Sequence, residues 1–209
     1  MTNKDYTAIK VVMDRSGSMS FIRDDAEGAL EEFIRGQIAL PGRATISISQ
    51  FDTEYDEVYK SVDVDVAPKY TLNPRGGTAL NDAMGRAITE FGKELSDLQE
   101  RYRPGQVIFV VITDGQENSS KEYSNVAVKA LVERQQNEYG WTFIFLAANQ
   151  DAVLTGQTYG FEANSSITFN TNADSLAGVS GLLNTYVGTT RSGGSYTATE
   201  EDRAETTQV

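Results

Sequence analysis

Two apolar runs that end alike constrain the fold of this chain more than any other feature. Ala8 to Met13 stops at Asp14-Arg15-Ser16-Gly17-Ser18, and Val107 to Thr113 stops at Asp114-Gly115. Near-continuous apolar stretches of this length are expected of strands covered on both faces. Helical spacing appears between them. Ala26, Leu30, Phe33, Ile34 and Ile38 form one stripe that ends before Pro41-Gly42. Leu80, Ala83, Ala87, Ile88, Phe91, Leu95 and Leu98 form another, predicting a helix from about Ala79 to Leu98. Ala44 to Phe51 alternates apolar residues with Ser and Thr. After the turn Asp52-Thr53-Glu54, a short strand near Tyr55 to Tyr59 would close a hairpin at one sheet edge. Further on the pattern predicts a helix over Lys121 to Tyr139, a buried strand over Trp141 to Ala147, a brief strand at Ile167 to Phe169 and a last helix over Leu176 to Tyr186.

Strands alternating with helices imply parallel strands joined by right-handed crossovers. The expected class is therefore α/β: a Rossmann-like, doubly wound, mostly parallel sheet with one antiparallel edge strand and helices on both faces. The 209 residues are read as one domain over 1–191 and a polar tail over 192–209, too poor in apolar side chains to offset ordering and so expected to be mobile. In open α/β sheets ligands bind beyond the carboxyl ends of the strands, where strand order reverses. Asp14 and Asp114 both follow such ends and fall on the same rim.

Composition removes several chemistries. There is no cysteine and no histidine, so disulfides, thiolate sites, the usual general base and the commonest transition-metal ligand are all absent. Oxygen ligands remain, and these suit magnesium, manganese or calcium. A net charge of −12 disfavours nucleic acid and anionic membrane surfaces as partners. The apolar runs fall far short of the roughly 20 residues a membrane helix needs. The first residues lack the apolar core of a secretory signal, so a cytoplasmic location is expected.

Read singly, each polar strand end is an ordinary turn or helix cap, since Asp, Ser and Thr satisfy free backbone donors. Read together, Asp14, Ser16 and Ser18 offer a carboxylate and two hydroxyls, Gly76-Gly77-Thr78 opens a helix with a third hydroxyl, and Asp114 adds a second carboxylate. Magnesium prefers six oxygen ligands and keeps some waters, so such a set would hold it with a place open.

This combination resembles the von Willebrand factor A domain family and its metal-ion-dependent adhesion site. The family's Asp-x-Ser-x-Ser falls on Asp14, Ser16 and Ser18, its later Thr on Thr78 and its Asp after the fourth strand on Asp114. The likeness covers roughly residues 6 to 190. The strings Val-Val-Met-Asp-Arg-Ser-Gly-Ser-Met, Gly-Gly-Thr-Ala-Leu-Asn-Asp-Ala and Val-Ile-Thr-Asp-Gly strengthen it. The resemblance implies a sheet with the site at its top, Ser16 and Ser18 binding a cation directly, and Thr78, Asp14 and Asp114 binding directly or through water.

The expectation that follows is a divalent-cation-dependent protein-binding module, not an enzyme. Magnesium is the expected ion, with manganese or calcium as substitutes, and an Asp or Glu of a protein partner completes its coordination. No small-molecule cofactor is expected, and members of the family without secretion signals point to a bacterial or viral setting. Two alternatives stay open: magnesium-dependent phosphoryl transfer, against which the chain has no Lys-bearing phosphate loop, and a scaffold in which the metal is purely structural. Arg15 and Arg75 are expected to border the metal and orient the partner's carboxylate. Gln116 and Asn149 are further candidates for the rim.

Overall fold

A computed structural model of the chain describes residues 2–148 and 150–208. Six strands, β1 (Asn3–Asp14), β2 (Arg43–Phe51), β3 (Tyr55–Asp63), β4 (Pro104–Thr113), β5 (Thr142–Ala148) and β6 (Ser166–Phe169), form one sheet in the order β3-β2-β1-β4-β5-β6. Every neighbouring pair is parallel except β2 and β3, so the antiparallel strand lies at the edge as expected. Strand order reverses between β1 and β4, the two strands that carry Asp14 and precede Asp114.

Alternation along the strands divides the interior into two layers. Ile9, Val11 and Met13 of β1, with Ile108, Val110 and Ile112 of β4, pack beneath α1 (Arg23–Ile38) and α5 (Ala173–Arg191). Ala8 and Val12, with Phe109 and Val111, pack beneath α2 (Leu80–Asp97) and α3 (Asn125–Tyr139). The second layer carries a run of aromatic contacts through Phe91, Trp141, Phe109 and Phe143. Lys10, between Ala8 and Val12 on the same face of β1, is buried there too. Its ammonium donates to Ser49 Oγ at 2.6 Å and lies 3.6 Å from Glu57.

Some boundaries differ from the sequence expectation, each for a local reason. The third helix begins at Asn125 rather than Lys121, because the backbone N–H groups of Lys121, Glu122 and Tyr123 all donate to the Asp82 carboxylate and so leave the helical pattern. Ser124 then caps the helix by accepting from Ala127 N, and Gly140, at φ 67°, ends it in the left-handed conformation that glycine tolerates. A short helix α4 (Ala152–Thr158) follows β5, capped by Asp151, which accepts from Val153 N and Leu154 N.

The polar tail is anchored by a few apolar contacts, with Ala198 buried in the core and Tyr196 edge-on to Tyr186, and by hydrogen bonds. Helix α6 (Glu200–Glu205) starts with a reciprocal Thr199–Asp202 capping box. From within it Arg203 donates to Ser166 O at 2.8 Å, and just beyond it Thr206 Oγ1 donates to Thr168 O at 2.8 Å while Asn170 N donates to Thr206 O at 3.0 Å. These contacts cover the free edge of β6, where unpaired strand groups would otherwise invite another chain. Among the described residues no helix is long and apolar enough to cross a membrane.

Candidate metal centre

Parallel pairing of β1 with β4 brings the two strand ends together and lets the loops after them meet. Asp14 is 0% exposed and Asp114 7%. The Asp14 carboxylate accepts from Ser16 N at 2.6 Å through Oδ1 and from Thr113 Oγ1 at 2.6 Å through Oδ2. Ser18 Oγ donates to Asp114 Oδ1 at 2.7 Å and lies 3.1 Å from Ser16 Oγ, which is itself 3.5 Å from Asp114 Oδ1. Four of the five expected ligands therefore form one hydrogen-bonded cluster.

Thr78, the fifth, arrives from the loop before α2. A Cβ built on Gly115 would lie 2.8 Å from Thr78 Oγ1 and 3.7 Å from Asp14 Oδ2, so the hydroxyl and the carboxylate converge on the face of Gly115 that lacks a side chain. Thr78 is held by its backbone, with Thr78 N donating to Asn118 Oδ1 at 3.0 Å and Thr78 O accepting from Asn118 N at 3.0 Å. Its hydroxyl has no hydrogen-bond partner among the described residues.

The electrostatics are unusual for two buried acids. Desolvation pushes Asp14 up to about 6, against which its hydrogen bonds from Thr113 and Ser16 act, while the neighbouring Asp114 charge adds to the rise. Burial raises Asp114 as well. Among the described residues neither carboxylate has an ion-pair partner. Two buried carboxylates, three hydroxyls and no protein cation fit a hard divalent ion, which would supply the missing charge. No three His, Cys, Asp or Glu side chains cluster as a metal site among the described residues. Hydroxyl oxygens complete this donor set, so a search for acidic clusters alone would pass it over.

The expected rim residues fare differently. Arg15 sits between two ligand positions in sequence, yet its side chain is buried and turns to β2 and β3. Its Nε donates to Asp52 Oδ2 at 2.9 Å and its Nη1 pairs with Asp56 at 2.7 Å. Arg75 donates to the same Asp52 oxygen at 2.7 Å and pairs with Glu54. Neither arginine stands free to orient a partner's carboxylate. The reason is register: Asp14 aligns with Phe51, which places Arg15 against Asp52 across the parallel pair. Gln116 is exposed beside Asp114. Asn149 lies outside the described residues, but its neighbour Gln150 donates to Gly115 O at 3.1 Å.

Asp52 is the residue the sequence reading missed. Burial works to raise its pKa, but the Glu54 N–H, Arg75 and Arg15 outweigh this and hold it below the usual carboxylate range. It also accepts from Ala79 N at 2.8 Å through its backbone carbonyl. Arg75 N donates to Arg15 O at 2.7 Å and Gly17 N to Gly76 O at 3.2 Å, so one buried carboxylate ties together the loops that carry Ser16 and Thr78. An acid at the end of the strand next to β1 was the available signal. Thr113, which orients Asp14, was likewise adjacent to a recognised position.

Solved structures with the same fold are distant in sequence. The zinc-bound form of proximal thread matrix protein 1 from the mussel byssus, described as having an occupied metal-ion-dependent adhesion site, superposes with a TM-score of 0.64 at 15% identity over 88% of this chain and 46% of that one. A von Willebrand factor type A protein from Catenulispora acidiphila gives 0.61 at 16% identity over 86% and 42%. The pilus adhesin SpaC from Lactobacillus rhamnosus GG gives 0.59 at 12% over 88% and 31%. The chain spans less than half the length of each. No family model and no curated protein matches the sequence. The chain has the von Willebrand factor type A fold.

Proposed function

We propose that this chain is a non-enzymatic protein-binding module that works through a divalent cation, magnesium in the first instance. The observation that carries the proposal is the pair of buried, unpaired carboxylates, Asp14 and Asp114, facing three hydroxyls. Asp14, Ser16, Ser18, Thr78 and Asp114 would hold the ion. Bound there, the cation would offer an electrophilic seat to an Asp or Glu of a protein partner. Two carboxylates balance the charge of a divalent ion and the neutral hydroxyls add none, so the ion would stay a Lewis acid with a coordination position open to a partner's carboxylate oxygen. The all-oxygen donor set favours magnesium, manganese or calcium over softer metals. The metal site described for the mussel protein, which shares the fold, supports the same reading. Asp52 engages both arginines, so among the described residues no protein cation substitutes for the ion.

The test is calorimetric titration of magnesium into the wild type and Asp14→Ala, followed by capture of partners in magnesium or in chelator. One binding event lost in the variant, together with capture that chelator abolishes, is the expected result. Capture that persists in chelator would make the metal structural only. Magnesium-dependent hydrolysis of p-nitrophenyl phosphate that Asp14→Ala abolishes would make the protein an enzyme.

A further inference from the structure

We infer that Phe21 is a second contact on the metal-site face, and that the partner places an aromatic or branched aliphatic side chain beside its metal-seeking carboxylate. The inference rests on the metal-binding reading above and specifies the partner it would take. A lone exposed hydrophobic residue is ordinary on a protein surface and needs no explanation. Phe21 differs in what it shares a face with. It ends a 3-10 turn over Gly17–Phe21, and in that geometry side chains three residues apart eclipse one another. Met19 and Ile22 form the inward pair, at 0% and 1% exposure, and lock the turn into the core beneath α1. Ser18 and Phe21 form the outward pair. Ser18 Oγ meets Asp114 Oδ1 at 2.7 Å, while Phe21 is 89% exposed. Ser18 and Phe21 thus share one face of the turn, so a segment that reached the site past Ser18 would meet the Phe21 ring.

The turn presents that ring on a fixed backbone. Met19 N donates to Ser16 O at 3.0 Å and Ile22 N to Met19 O at 3.2 Å, so little ordering is required when a partner covers it. Local charge narrows the partner further. Arg23, the first cation after Phe21, is already paired with Asp24 at 2.8 Å, and Asp25 follows without an ion pair among the described residues. The flank is thus net negative and repels a run of acidic residues. The chemistry that fits is one carboxylate, an apolar neighbour and no second acid beside it.

The experiment is selection of a random-peptide library on the full chain in magnesium, with elution by chelator, run in parallel on Phe21→Ala. The substitution removes a side chain that the fold does not bury, and a magnesium titration of the variant reports whether its metal site is intact. Peptides eluted from the wild type are expected to carry a single Asp or Glu next to Phe, Tyr, Trp, Leu or Ile. For the best of them Phe21→Ala should weaken binding about tenfold or more, as expected for uncovering a large part of a buried aromatic side chain. Peptides that carry the acid but no apolar neighbour, or that bind Phe21→Ala equally well, would overturn the inference while leaving the metal reading in place. A variant that loses magnesium affinity would also overturn it, by assigning Phe21 to the site's own structure. A wild type that binds magnesium but yields no chelator-eluted peptide would remove the partner-carboxylate reading and this inference with it.

Discussion

Replacing Asp14 with Asn should stabilise the metal-free protein while abolishing its metal site. In the folded, metal-free chain the carboxyl titrates at about 6 against an ordinary value of 3.8. A folded-state pKa above the unfolded value means that the folded state binds the proton more tightly. Stability is then lost as pH rises from about 4 to about 6, and the full penalty holds above that. The shift of roughly two units corresponds to up to about 3 kcal/mol at neutral pH. An Asn side chain carries no charge and can keep both hydrogen bonds. Its Oδ1 accepts from Ser16 N as Asp14 does, and its Nδ2 can donate to Thr113 Oγ1, whose proton then turns to Gly115 O, 3.1 Å away. Allowing for imperfect geometry, Asp14→Asn should gain about 1 to 3 kcal/mol in chelator at neutral pH. The assay is urea unfolding across a pH series, read by the fluorescence of Trp141, the only tryptophan and a buried one. Wild type in chelator should gain stability as pH falls from about 7 towards about 4, and the variant should lack that part of the slope. Saturating magnesium should stabilise only the wild type, and most strongly above about pH 6, where the carboxylate is ionised. A variant equal to or weaker than the wild type in chelator would refute the claim that Asp14 carries an uncompensated charge.

Asp52→Ala should cost about 3 to 5 kcal/mol in the same unfolding assay, because it leaves the buried Arg15 guanidinium without its main carboxylate; a loss below about 1 kcal/mol would show that Asp56 alone suffices. Gly115→Ala should leave stability within about 1 kcal/mol but weaken magnesium binding about tenfold or more, since the new methyl would sit 2.8 Å from Thr78 Oγ1 and force that hydroxyl aside. Titration calorimetry that finds wild-type affinity there would exclude Thr78 from the ligand set.

What could be read in advance was whatever lies close in sequence. The inner strands announced themselves because burial on both faces leaves almost no polar residue in them, and Asp14, Ser16 and Ser18 because they share one loop. Asp114 needed the rule that strand ends face one rim, and Thr78, which opens a helix, needed the resemblance to the von Willebrand factor A family. Helix α4 escaped because only Ala152 and Gly156 of its seven residues are buried, leaving no stripe to detect. Its signal was the cap, Asp151. Likewise α6 buries none of its residues and depends on the Thr199–Asp202 box, with Thr206 buried just beyond it. Composition described the tail's polarity correctly but carried no information about the carbonyls of β6 that Arg203 and Thr206 would find. The partners of Arg15 and Arg75 were hidden for the same reason, since they depend on which strand lies beside β1.

The fate of those arginines bears on why the site can want a metal at all. An acidic cluster is most simply neutralised by a cation of the protein itself, and Arg15, between two ligand positions, is the nearest candidate. Had its guanidinium turned inward, it would have paired with Asp14 or Asp114 and lowered their pKa values, leaving little charge for an ion to balance. The β1–β2 register instead sets it against Asp52, with Arg75 on the same oxygen. Asp52 is held ionised by these partners, whereas Asp14 is pushed up to about 6 with none. Three buried carboxylates within one set of loops thus have opposite fates. One engages both nearby arginines, and the other two have no ion-pair partner among the described residues, so their charge is relieved by a proton at low pH and, in the proposed function, by a bound cation above it.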